Sequence, residues 1–142
     1  MKIRARVLFV FIALMQIADL SAQSTRGKSD LVFIRADIED SRHQLFSIYI
    51  DGVRYCGLPN NNYITVSVDT GEHSFFANKS TRKKIKKQWE GSALSLNLEA
   101  GKTYYMNLVI NNEARAGVSL TPILESSAKQ LMASCTKLQD KK

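Results

Sequence analysis

Tyr63-Ile64-Thr65-Val66-Ser67-Val68 alternates without a break. Ile64, Val66 and Val68 fall on one side, and Tyr63, Thr65 and Ser67 on the other. A repeat of two residues is the mark of a half-buried β-strand, because successive side chains of an extended backbone point to opposite faces.

The same short alternating run recurs outward in both directions. Leu31 to Ala36 and His43 to Asp51 precede it, the latter with Phe46, Ile48 and Ile50 on one face. Glu72 to Asn78 follows with Phe75 and Phe76, then Ala93 to Leu98, Lys102 to Ile110 and Val118 to Leu124. Turn-forming residues lie between the runs: Pro59-Asn60-Asn61-Asn62, Asp69-Thr70-Gly71, Ala100-Gly101 and Asn111-Asn112. Such residues tolerate tight or left-handed backbone. Seven strands at this spacing predict an all-β fold, an antiparallel β-sandwich.

The period changes at the C-terminus. Leu131, Met132, Cys135 and Leu138 are spaced as one face of a helix over Ser126 to Leu138, with Ser126 or Ser127 available as N-cap. One amphipathic helix laid on the sandwich is expected, followed by a frayed tail over residues 139 to 142.

The N-terminus has the order of a secretory signal peptide: Lys2, Arg4 and Arg6, an apolar run from Val7 to Ile17, then Leu20-Ser21-Ala22-Gln23. The run is short of the ~20 residues a membrane span needs. Cleavage between Ala22 and Gln23 is expected, leaving residues 23 to 29 as a leader and 30 to 138 as one domain. Position 23 is Gln, so the cysteine that lipoprotein acylation requires is missing there. Removing Lys2, Arg4, Arg6 and Asp19 takes the 20 cations and 13 acids of the 142-residue chain to 17 and 12, and its formal charge from +7 to +5.

The chain has two cysteines, Cys56 and Cys135. In an exported protein such a pair is expected to oxidise. A bridge would close a loop of about 80 residues, at the stabilising end of the chain-entropy scale. The other reading is two buried thiols that never meet, since bridging needs close Cα atoms.

Five cations stand in six residues at Arg82, Lys83, Lys84, Lys86 and Lys87, followed by Trp89. Such a cluster suits an anionic lipid or polymer, with Trp89 as an interfacial contact. It equally suits a solvated hairpin whose charges discourage edge pairing. Nucleic acid is disfavoured as a partner because export separates the chain from it. His43 and His73 are the only histidines, and no nucleophile elbow, zinc helix or phosphate loop occurs. Asp37, Glu39 and Asp40 lack the spacing and glycine of a calcium loop. No catalytic residue, metal or cofactor is therefore expected. Asn78-Lys79-Ser80 matches a glycosylation sequon that matters only in a eukaryotic secretory route.

Asp51-Gly52, Gly57-Leu58, Tyr63, Gly71-Glu72-His73, Ala100-Gly101-Lys102-Thr103-Tyr104-Tyr105, Leu131 and Cys135, in that order, resemble an uncharacterised family of small bacterial envelope β-domains. Its members are often lipoproteins, and its fold is similar to PEGA-type or transthyretin-like sandwiches. The resemblance implies a bacterial envelope protein, and Gln23 points to a periplasmic or secreted one rather than a lipidated one. Together these readings predict a non-catalytic binding or assembly module that contacts anionic envelope lipid or polymer, or an envelope protein. The alternative is a small secreted effector or inhibitor that docks a protein partner.

Overall fold

The computed structural model describes residues 27–79, 93–110 and 117–139. Strands make up 60% of them, nine strands in two sheets. One sheet holds β1 (Lys28–Arg35), β4 (Asn62–Asp69), β7 (Thr103–Ile110), β8 (Val118–Ile123) and β9 (Thr136–Lys137), in the order β8-β7-β1-β4-β9. The other holds β2 (Phe46–Ile50), β3 (Val53–Leu58), β5 (Gly71–Asn78) and β6 (Leu94–Leu98), in the order β3-β2-β5-β6.

The expected sandwich is present, with nine strands rather than seven. The two additional strands are β3 and β9. Pairing is also not wholly antiparallel: β1 runs parallel to β7, with Leu31 opposite Tyr104 and Phe33 opposite Met106, and β4 runs parallel to the two-residue β9. β1 is buried on both faces, as strands with parallel neighbours commonly are.

Strand parity decides where each side chain goes. Leu31 and Phe33 of β1, Ile64 and Val66 of β4, and Met106 and Leu108 of β7 point inward to meet Phe46, Ile48, Phe75 and Leu98 from the other sheet. Phe33 and Phe75 lie ring to ring at 6.1 Å, in a tilted arrangement that aromatic quadrupoles favour. The other parity of β1, Val32 and Ile34, faces the outside of the five-stranded sheet, where helix α1 (Glu125–Met132) covers it. Ala128 of α1 is fully buried, and Leu131 and Met132 pack beside it with Tyr105 and Ile123. Tyr104 and Tyr105 thus serve opposite faces of one strand, as alternation requires.

The helix is shorter than its apolar spacing suggests. It stops at Met132, its N-cap is Leu124 with no side-chain cap bond, and the chain turns to pair Thr136 and Lys137 with β4. Cys135 therefore follows the helix rather than belonging to it, and Leu138 rounds the sheet edge to pack against the inter-sheet core.

The two ends of the sandwich differ. At one end the connections are tight: Asp51-Gly52 between β2 and β3, Thr70 between β4 and β5, and Glu99 to Lys102 between β6 and β7. Asp51 and Gly52 have φ of 50° and 76°, the left-handed pair of a two-residue hairpin turn. Gly71 and Gly101, at 119° and 73°, likewise adopt backbone that a side chain would strain. At the opposite end lies the 36–45 connection, beside Asn78, Ile110 and Val118 at the ends of β5, β7 and β8.

Arg35 closes that opposite end. It is 0% exposed, and among the described residues no carboxylate pairs with it. Its Nη1 donates to the carbonyls of Gln44 at 2.6 Å and Leu58 at 2.9 Å, and its Nη2 to that of Ser41 at 2.7 Å. The guanidinium carbon lies 4.6 Å from the centre of the Phe46 ring. Burial pulls its pKa downward, but a guanidinium stays charged. One planar fork thus joins the end of β1 to the β1–β2 connection and to the end of β3. Arg35→Leu, which strands these carbonyls, is expected to lower stability by about 2–4 kcal/mol in urea unfolding. Arg35→Lys is expected to recover under half of that, because one ammonium does not reproduce the fork.

Candidate binding cleft

A cleft of about 450 Å³ opens where edge strand β3 faces Ile64 of β4 and Leu138. Four successive residues of β3 line it, Arg54, Tyr55, Cys56 and Gly57, together with Leu45 and Pro59. The register between β2 and β3 shifts between Ile48 and Tyr49, a bulge that leaves Tyr55 38% exposed. Bulges re-aim side chains at sheet edges.

Gln139 adds a polar amide to the lining, and among the described residues the one charged side chain there is Arg54. Its Nε donates to Ser47 Oγ at 2.8 Å, and Ser47 is 0% exposed, so a buried hydroxyl fixes the guanidinium. Gly57 makes room for this arrangement. A Cβ there would lie 2.9 Å from Leu45 Cδ2 and 3.0 Å from Arg54 Nη2, closer than packed atoms come. Among the described residues no carboxylate pairs with Arg54.

Cys56 and Cys135 are not bridged, contrary to the expected disulfide. Parity explains the separation. Cys56 packs on the inter-sheet core, whereas Cys135 joins Val32, Ile34 and Ala128 on the outer face of the five-stranded sheet. A whole sheet stands between the two thiols. Cys135 Sγ instead donates to the Arg35 carbonyl at 3.7 Å. Burial pushes its pKa upward, with the side chain of Ser134 opposing and the charge of Asp37 adding to the rise.

His73 has a structural environment. Its Nδ1 lies 2.7 Å from Asp51 Oδ2 and its Nε2 lies 2.9 Å from the Asp69 carbonyl, so both ring nitrogens face acceptors within the fold. Asp51 Oδ1 accepts from the Ser74 backbone N–H at 2.9 Å. This network ties the β2–β3 turn to the β4–β5 turn. Asp37 is held by Arg42 at 3.0 and 3.2 Å and by Asn60, and these hydrogen bonds, Arg42's first, keep its carboxyl below the usual range. Among the described residues no group of three or more His, Cys, Asp or Glu could hold a metal ion, and no helix is long and apolar enough to cross a membrane. Ala22, Gln23, Arg82, Lys83, Lys84, Lys86, Lys87 and Trp89 lie outside the described residues. Arg54, Leu45 and Gly57 carry no periodic signal in the sequence, the helical spacing that includes Leu138 points elsewhere, and only folding brings the four to one place.

Alkylation of the unfolded protein without reductant is expected to label both Cys56 and Cys135. A proteolytic peptide pair joined through them would contradict the separation. In the folded protein, the raised pKa means that Cys135 alkylates more slowly than an exposed thiol near about pH 8 and gains rate as pH rises.

No family model matches this chain, and neither a curated protein nor a solved structure does.

Proposed function

We propose that this chain is an exported, non-catalytic binding or assembly module of the bacterial cell envelope. One observation carries the reading: the 36–45 connection, Leu45 and Pro59 of the cleft, and Lys79, where the chain enters the basic segment, share one end of the sandwich. Asn78 pairs with Ser47, next to Phe46 and Leu58, so the chain enters residues 80–92 beside the Arg35-closed end. Lys79 Nζ lies 5.9 Å from the Phe46 ring. Binding residues are often carried on connections at one end of such a scaffold.

The basic N-terminal residues followed by the apolar run and Ala22 support export, and the five cations from Arg82 to Lys87 support an anionic partner. A secreted effector or inhibitor is the second reading. It is favoured by the exposed edge of β3, where Val53 is 44% and Tyr55 38% exposed.

Co-sedimentation with vesicles of phosphatidylglycerol and phosphatidylcholine tests the first reading. Binding to the anionic vesicles is expected at low salt, weakened by salt and absent from pure phosphatidylcholine. Changing Arg82, Lys83, Lys84, Lys86 and Lys87 to Ala is expected to abolish it. Binding that survives this change, or no binding by the native chain, would overturn the anionic-surface role. The second reading predicts a partner complex indifferent to those five changes and disrupted by Val53→Lys.

A further inference from the structure

The β3 cleft has the composition of a ligand site. Its volume of about 450 Å³ lies in the range of roughly 300–1,000 Å³ of small-molecule pockets, which pair an apolar lining with a few placed polar groups. Here Leu45, Tyr55, Ile64 and Leu138 supply most of the apolar lining, Gln139 adds a polar amide, and among the described residues the charged group is Arg54. Ser47 accepts from Nε, Nη2 lies over Gly57 beside Leu45, and the planar guanidinium presents Nη1 and Nη2 as two parallel donors. That geometry matches the two oxygens of a carboxylate. Gly57 belongs to the device, because a side chain at this position would displace the ends of the Arg54 and Leu45 side chains.

We propose that the β3 cleft binds a single-chain aliphatic carboxylate, with Arg54 holding the head group and Leu45, Tyr55, Ile64 and Leu138 covering the chain. The assignment rests on the reading of the chain as a binding module, and it is independent of the basic segment. A cation beside an apolar wall selects an amphiphile of opposite charge. A neutral alcohol forfeits the charge-assisted hydrogen bonds, and an alkylammonium meets a like charge.

The test is calorimetric titration of the full chain with dodecanoate below its micellar range, beside decanoate, dodecanol and dodecyltrimethylammonium. One dodecanoate per chain is expected. Loss of two methylenes in decanoate should weaken binding about tenfold. Arg54→Gln should weaken dodecanoate by about tenfold or more. Gly57→Ala, which keeps the charge and has no backbone barrier, should weaken it too, with urea unfolding confirming that both variants fold. Dodecanoate should also slow alkylation of Cys56, which lines the cleft, and leave Cys135, across the sheet, unchanged.

The proposal is overturned if dodecanoate fails to saturate one site, if the alcohol or the alkylammonium binds as well, or if folded Arg54→Gln binds as the native chain does. Loss of dodecanoate binding on removing the five cations from Arg82 to Lys87, with Arg54→Gln unaffected, also overturns it. Dodecanoate binding without vesicle binding keeps this site and ends the anionic-surface reading. Vesicle binding without dodecanoate binding does the reverse.

Discussion

Strand β1 is buried on both faces, and the remaining elements are arranged around that fact. Leu31, Phe33 and Ile34 are 0% exposed and Val32 4%. Burying each such side chain contributes about 1.5–3 kcal/mol, but only if both faces of the strand are covered. The four-stranded sheet covers Leu31 and Phe33, and α1 covers Val32 and Ile34. The helix is therefore part of the core rather than an attachment. β4 and β7 satisfy the backbone on either side, which makes β1 the centre of its sheet.

Arg35 continues this strand into the polar end of the molecule. Backbone carbonyls rather than an acid receive its donors, so the guanidinium fixes the positions of loops instead of neutralising a charge. The end of β3 is one of the places it fixes, through the Leu58 carbonyl. The cleft forms next to that anchor because β9 is only two residues long and Leu138 then turns inward, leaving the β3 side of the sandwich open. The opposite end is bolted by the Asp51–His73 network and tight turns, and a smaller cleft of about 240 Å³ opens there beside Leu96, Tyr104 and Ile123.

Much of this was legible from alternation alone. β4 reads directly from Ile64, Val66 and Val68, and the positions of β5, β6, β7 and β8 follow from the same period. β3 is obscured because a bulge breaks its alternation and Gly57 resembles a turn residue, although it sits within a strand to make room for Arg54 and Leu45. β9 is too short to carry a period. Cys135 falls on a helical spacing with Leu131 but lies beyond the helix, and nothing local shows that a sheet separates it from Cys56. Parallel pairing of β1 with β7 depends on residues about seventy positions apart, which no local pattern encodes. The cleft is invisible for the same reason: Ser47, Arg54, Ile64 and Leu138 meet only in three dimensions. Arg35 has a faint signal, a cation closing the apolar run Leu31 to Ile34, and alternation gives no reason to bury it.

The most direct test of the role of β1 is native-state hydrogen exchange, residue by residue. Its amides from Leu31 to Ile34 are expected in the slowest class, exchanging only when the whole domain unfolds, while those of edge strand β3 open locally and faster. Exchange of the β1 amides by local opening, at rates like those of β3, would contradict the account that the fold is built around this strand.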